Sequence, residues 1–208
     1  MNSNLKKIVI ASPNFLIAEG IRNFFKSNGF VSISVVENQD HLERTLMREV
    51  PDYVLIDDSA KQFKVEKTIA FLSFTKPAQT ILLSNTMNHE RFELLKKVGV
   101  QFFISNEISR EELFNLLQFM ELEKEYLDHQ VKRRLAFDAE EAFRTTCAEL
   151  NISEREVEII KLIAEGYINK EIADMLFLST HTVNTHRKNI MSKLGVNNAT
   201  GIVIFAVK

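Results

Sequence analysis

The stretch Leu150-Asn151-Ile152-Ser153-Glu154-Arg155-Glu156-Val157-Glu158-Ile159-Ile160-Lys161-Leu162-Ile163-Ala164-Glu165-Gly166 runs on to Asn169-Lys170-Glu171-Ile172-Ala173-Asp174-Met175-Leu176, and then to Ser179-Thr180-His181-Thr182-Val183-Asn184-Thr185-His186-Arg187-Lys188-Asn189-Ile190-Met191-Ser192-Lys193-Leu194-Gly195-Val196. Ser153 followed three residues later by Glu156 is a capping box. Val157, Ile160, Ile163 and Ala164 then recur at helical spacing. Gly166 stops this helix, because glycine accepts the left-handed conformation needed there. Asn169 is placed to cap a second helix that buries Ile172, Ala173 and Leu176. Phe177-Leu178 makes a turn, and Ser179 or Thr180 caps a third helix.

Three short helices with a tight turn before the last follow the plan of a helix-turn-helix. The third helix has two faces. Val183, Ile190 and Leu194 point into a small core, while His181, Asn184, Thr185, Lys188 and Ser192 form an opposite stripe of small polar and basic side chains. A stripe of hydrogen-bond donors beyond a tight turn is what the DNA major groove requires. The segment resembles the LuxR-type helix-turn-helix of bacterial transcription regulators, through Ser153-Glu154-Arg155-Glu156, Gly166, Asn169-Lys170-Glu171-Ile172-Ala173, Thr182-Val183, His186 and Lys193-Leu194-Gly195-Val196. The resemblance implies that the third helix enters the major groove of double-stranded DNA. Asn184, Thr185 and Lys188 would then face bases, and Lys170, His181, Thr182, His186, Arg187 and Lys193 would contact phosphate or position the domain. His186 has a second reading, as a packing residue between helices.

The last helix, from about Asn198 to Val207, is apolar nearly all round. A short helix at the edge of a small core buries one face only. The surplus predicts a two-fold homodimer through Ile202, Val203, Phe205 and Ala206, as the family resemblance also implies.

Residues 1–120 alternate between strand-like and helix-like runs. Ile8-Val9-Ile10, Val31–Val36, Tyr53–Ile56, Thr80–Leu83 and Phe102-Phe103-Ile104 read as strands, and 15–28, 39–48, 90–98 and a segment opened by Ser109 read as helices. The expected architecture is a doubly wound, five-stranded parallel α/β sheet of order 2-1-3-4-5, followed by the small all-α domain at 150–208. Residues 60–79 carry the weakest pattern. Residues 121–149 read as a helical linker, with Leu127, Val131 and Leu135 on one face.

The alternation and the run Pro51-Asp52-Tyr53-Val54-Leu55-Ile56-Asp57, with Asn88-His89-Glu90 and Gly99, resemble the receiver domain of response regulators. By that resemblance Asp57 is the candidate phosphoacceptor. Other positions depart from the pattern. The acidic pair that holds Mg2+ in receivers reads Ala11-Ser12, the lysine after the fifth strand reads Asn106, and the Met-Pro-Gly turn is replaced by Ser59-Ala60-Lys61. A hydroxyl after the fourth strand is retained as Ser84 or Thr86. Magnesium requires hard oxygen ligands, and phosphoryl transfer depends on stabilisation of charge. The expectation is a pseudo-receiver with no cofactor and poor Mg2+ binding.

The net charge of −2 and a hydrophobic fraction of 45% fit ordinary globular cores. Residues 150–208 contain seven Lys/Arg and six Asp/Glu, so DNA affinity must come from local placement of Arg187, Lys188 and Lys193 and not from bulk charge. No apolar run reaches membrane-spanning length and no signal peptide is read. The lone Cys147 reads as an apolar filler and fits a reducing compartment, so a cytoplasmic location without a membrane partner is expected. There is no Walker loop, metal-ligand cluster or spaced nucleophile–base pair, and an enzyme is not expected.

Three functional readings remain open on these residues. The first is a dimeric DNA-binding transcription regulator acting on RNA polymerase, whose receiver-like domain works without phosphorylation. The second is a response regulator phosphorylated on Asp57 by a histidine kinase or another signalling partner. The third is a regulator switched by a small ligand or partner protein at the neutral Ala11, Ser12 and Asn14 pocket.

Overall fold

Each strand of the first domain alternates its apolar side chains between two faces, so the sheet needs a cover on both sides. The computed structural model describes residues 6–59, 61–75 and 78–207 and divides the chain into two compact units, 1–138 and 139–208. The first unit runs β1 (Lys6–Ala11), α1 (Phe15–Ser27), β2 (Phe30–Val36), α2 (Gln39–Arg48), β3 (Tyr53–Asp57), α3 (Val65–Thr75), β4 (Gln79–Leu83), α4 (His89–Val98), β5 (Val100–Ile104), α5 (Arg110–Glu121) and β6 (Tyr126–Leu127). The sheet is parallel with the order β2-β1-β3-β4-β5-β6.

One face carries Val9, Val54, Ile56, Leu82 and Phe103 against Leu42 and Leu46 of α2, Ile69 and Leu72 of α3, and Phe92 and Leu95 of α4. The other carries Ile8, Ile10, Leu55, Ile81 and Phe102 against Ala18 and Phe25 of α1 and Leu116 and Met120 of α5. The doubly wound, receiver-like expectation therefore holds, with one correction to the strand count. Tyr126 and Leu127 pair in parallel with Phe102 and Phe103, so among the described residues the sheet has six strands and not five. Two residues are too few to show a period of two, which is why this strand was not evident in the sequence.

Two further corrections concern helices of the first unit. Leu16 belongs to the apolar run that opens α1, which on its own would place it inside, yet it is 79% exposed. The weakly patterned stretch after β3 contains α3, whose Val65, Ile69 and Leu72 are buried at helical spacing; Ala60 of the Ser59-Ala60-Lys61 run lies outside the described residues. At the end of α4, Gly99 adopts φ 110°, the left-handed value that lets its N–H bond back to Lys96 and so turns the chain into β5.

Helix α6 (His129–Glu149) takes up most of the stretch expected as a linker. Val131 is buried in the first unit, and Leu127 and Leu135 pack partly against the same core. Its later residues Phe143 and Cys147 belong to the core of the second unit. That unit continues with α7 (Glu154–Ala164), α8 (Asn169–Leu176), α9 (Thr180–Leu194) and α10 (Ala199–Val207). Its core gathers Cys147, Ile152, Ile159, Ile160, Ile163, Ile172, Ala173, Val183, Ile190 and Ile202. Burial pushes the Cys147 thiol up, with smaller opposed effects from Lys161 and Glu140, which suits a packing role. Among the described residues no single helix is long and apolar enough to cross a membrane.

Candidate nucleic-acid interface and the Asp57 pocket

Local chemistry sets the three helices of the interface. Ser153 Oγ accepts from the Glu156 N–H, and the Glu156 carboxylate accepts from the Ser153 N–H at 2.8 Å, which closes the expected capping box of α7. The cap of α8 is Ile168 and not Asn169 as expected. Ile168 holds the extended conformation that precedes the helix, and its N–H donates to Glu171 Oε2 at 2.8 Å, so the stabilising carboxylate sits in the first turn. Asn169 is thereby the first helical residue, and its side chain is free for another partner. The Arg155 guanidinium donates to the Leu176 carbonyl, satisfying an otherwise open acceptor at the end of α8.

Phe177 makes the turn with φ 54° and ψ 45°, a left-handed conformation rare for a side chain of this size. The turn directs the Leu178 N–H to the Ala173 carbonyl at 2.8 Å and leaves the Phe177 ring 95% exposed. Ser179 then caps α9, accepting from the Thr182 N–H at 3.0 Å.

On α9, Val183 and Ile190 are buried, and His181, Asn184, Thr185, Lys188 and Ser192 are exposed, as the stripe requires. Thr182 is half-buried and its hydroxyl pairs with Ser179 Oγ at 2.8 Å, which makes it part of the cap. His186 and Arg187 are half-buried beside the stripe, and desolvation lowers the Arg187 guanidinium from its ordinary value. Lys170 is exposed near the start of α8. Among the described residues, Lys170, Arg187 and Lys188 take no part in the ion pairs of this unit, which are Arg144–Glu140, Arg155–Glu158, Lys161–Glu140 and Lys193–Glu156. Their charges are therefore available to an external anion.

Lys193 differs from the other cations. Its ammonium lies 2.6 Å from the buried Glu156 carboxylate and donates to the Asn151 carbonyl at 2.7 Å. Its ammonium is thus engaged by two acceptors of its own domain, while the residue stays exposed at the surface. Glu156 was read from sequence only as a capping residue; its second role was not visible, because its partner stands 37 residues away. Burial opposes the Glu156 charge, but the Lys193 and Ser153 donors outweigh it and hold the carboxyl below its ordinary range.

The residues expected at a two-fold interface also turn inward to varying degrees. Ile202 is fully buried, Val203, Phe205 and Ala206 pack partly against the core, and the Phe205 ring meets Phe143 of α6 at 5.6 Å. The physical reason is the extra cover supplied by the end of α6. Ile204 and Val207, 54% and 76% exposed, remain on the open side of α10.

In the first unit Asp57 ends β3 and is buried. Its Oδ2 accepts from the Ser12 hydroxyl at 2.6 Å, and its Oδ1 accepts from the Ser59 N–H at 3.0 Å. Asp58, also buried, pairs with the Arg91 guanidinium at 2.9 Å. Desolvation raises the Asp58 carboxyl above its ordinary value, and Arg91 offsets part of that rise. Ser84 is the buried hydroxyl after β4, and Thr86 is exposed. Asn106 is exposed, and its main-chain N–H donates to Asn85 at 3.1 Å. Among the described residues, the buried anionic groups here are the Asp57 and Asp58 carboxylates, the second shared with Arg91. Ala11 has no ligand atom, the Ser12 hydrogen is given to Asp57, and Asp58 faces a fixed cation. Ala11 and Ser12 are buried, and Asn14 caps α1 by accepting from the Leu16 and Ile17 N–H groups.

Residues 150–206 match the model for the family "Bacterial regulatory proteins, luxR family". Over nearly the full length the chain is similar to the oxygen regulatory protein NreC of Staphylococcus aureus, 27% identical with 97% of each chain covered. Among solved structures it is similar in fold to the two-component response regulator RcsB in complex with DNA, with a TM-score of 0.55 at 20% identity over 98% of each chain. It is likewise similar to RcsB of Salmonella enterica serovar Typhimurium bound to a promoter in the presence of phosphomimetic BeF3−, with a TM-score of 0.56 at 22% identity, covering 99% of this chain and 100% of that one. Residues 150–206 thus match the luxR family of bacterial regulatory proteins, and they follow a doubly wound domain whose fold is shared with the RcsB structures.

Proposed function

We propose that this chain is a sequence-specific, DNA-binding transcription regulator that acts in the cytoplasm as a homodimer, and that its receiver-like domain works without aspartyl phosphorylation. The observation that carries the DNA reading is the exposed stripe of α9. Asn184, Thr185 and Lys188 stand opposite the buried Val183 and Ile190, with the unpaired cations Lys170 and Arg187 nearby. Such a helix, held by a capped helix-turn-helix, supplies both groove-reading side chains and phosphate contacts. The dimer reading rests on the apolar α10, whose Ile204 and Val207 have no cover within the domain. Regulation would follow from where the bound dimer lies relative to RNA polymerase.

The two kinds of contact separate in a salt titration of DNA binding. Lys170→Ala is expected to weaken all sequences alike and to reduce the salt slope by about one. Lys188→Ala is expected to lose about 1–3 kcal/mol on the preferred site and to relax one base preference. Equal behaviour of the two variants would contradict the assignment of base and phosphate roles.

The phosphate-independent reading rests on the Ser12–Asp57 hydrogen bond and the Asp58–Arg91 pair. They take up the groups that would otherwise hold a metal and receive a phosphoryl group. Incubation with Mg2+ and a small phosphodonor should leave the protein unlabelled and its DNA affinity unchanged. Rapid Mg2+-dependent labelling that disappears in Asp57→Ala would overturn this half of the proposal.

A further inference from the structure

Two of the three base-facing side chains have their hydrogen-bonding groups set by the protein. Asn169 Nδ2, at the first position of α8, donates to Asn184 Oδ1 on α9 at 2.6 Å. The Thr185 hydroxyl donates to the His181 carbonyl one turn back, at 3.1 Å. Thr185 thus turns a methyl group and a lone pair outward and has no hydrogen left to give. Among the three, Lys188 keeps its full set of donors.

The Asn169–Asn184 bond has a consequence for base reading. An asparagine with both ends of its amide free matches adenine, whose N6–H2 needs an acceptor and whose N7 needs a donor. Guanine presents N7 and O6, which are both acceptors, and asks only for donors. With Oδ1 turned to Asn169, Asn184 offers the groove its amide N–H groups.

We propose that Asn169 is a specificity-determining residue that acts through Asn184, holding that amide with its donors outward so that the contacted base pair is read as guanine in preference to adenine. This rests on the DNA-binding reading above. Asn169 is half-buried at the foot of α8, and it touches no base in this scheme. It is a positioning residue, and its substitution should move a preference and not simply an affinity.

The test is selection of randomised duplexes by the full-length, unphosphorylated protein, with thermal midpoints measured to show that each variant folds. Asn184→Ala identifies the base pair concerned as the one whose preference disappears. At that pair the wild type should favour guanine, and Asn169→Ala should shift the ratio towards adenine by about tenfold. The position read by Lys188 should not change. Asn169→Asp places an acceptor against Asn184, turns its Oδ1 outward, and should favour a base that presents an amino group. A motif that depends on Asn184 but is indifferent to both Asn169 variants would overturn this inference alone. So would an Asn169→Ala variant weakened equally on all sequences. Failure of the wild type to select any motif would overturn the DNA-binding reading together with it.

Discussion

Asp128→Ala is expected to lower the stability of the receiver-like unit by about 3–4 kcal/mol, a large share of the roughly 5–15 kcal/mol that holds a domain folded. Asp128 is fully buried between β6 and α6. Its Oδ2 accepts from the Ser105 N–H at 2.6 Å and the Ser105 hydroxyl at 2.8 Å, and its Oδ1 accepts from the Val131 N–H at 2.7 Å. One carboxylate therefore caps α6 and closes the end of β5. Removing it leaves two main-chain donors without partners in a region closed to water, and an unmet buried donor costs about 1–3 kcal/mol.

The neighbouring contacts act in the same direction. The Glu112 carboxylate accepts from the His129 N–H at 2.7 Å, and the Tyr126 hydroxyl donates to the Glu112 carbonyl at 3.2 Å. Burial, then the Glu112 and Asp128 charges, push the Tyr126 hydroxyl up to about 12, so it stays protonated and able to donate. Asp128→Asn keeps one acceptor and should lose about half as much stability. Urea unfolding of the full chain, with amide exchange to locate the affected unit, is the measurement. Faster exchange at Ser105 and Val131 is expected. An unchanged midpoint would show that the clasp contributes nothing to stability.

The second large effect concerns Lys193. Lys193→Ala should destabilise the helix-turn-helix unit by about 3 kcal/mol at neutral pH, because it strands the buried Glu156 carboxylate with only Ser153 as donor. The pair also sets an acid limit. Glu156 is held below its ordinary value in the folded domain, so the unfolded chain binds the proton more tightly. The stabilisation is complete above the unfolded carboxyl value of about 4.3 and is lost as pH falls through the lower folded value. Glu156→Gln should flatten this acid limb and reduce stability at pH 7. The salt slope of DNA binding separates the interior role from a phosphate contact. Lys193→Ala should leave the slope unchanged under conditions where the variant is folded, whereas a slope reduced by about one with unchanged stability would restore the role suggested by the sequence.

What the sequence showed and what it concealed divide along the range of the interactions. Ser153 with Glu156, Ser179 before α9, and Val183 with Ile190 are local patterns, and the structure places them as read. The alternating strands of the sheet were legible for the same reason, since inward and outward residues follow a period of two. Lys193 looked like a free cation because nothing near it in the chain hints at Glu156. Asn169 looked like a cap because asparagine is a preferred cap, but the extended backbone falls one residue earlier, at Ile168. Ile202 is drawn fully into the core, and Val203, Phe205 and Ala206 pack partly against it, because the end of α6 adds Phe143 and Cys147, a contribution no local pattern in the last helix reveals. Asp57 was legible as a position, but the Ser12 hydroxyl on its carboxylate is a contact across 45 residues.

The central claim is that this chain binds a specific DNA sequence as a dimer without being phosphorylated. Selection of genomic fragments by the purified, unphosphorylated full-length protein, read by sequencing, tests it most directly. One pseudo-palindromic motif is expected, with half-sites spaced by a helical turn or a multiple of it, recovered equally well with and without a phosphodonor. Recovery of a motif only after phosphodonor treatment, and its loss in Asp57→Ala, would contradict it.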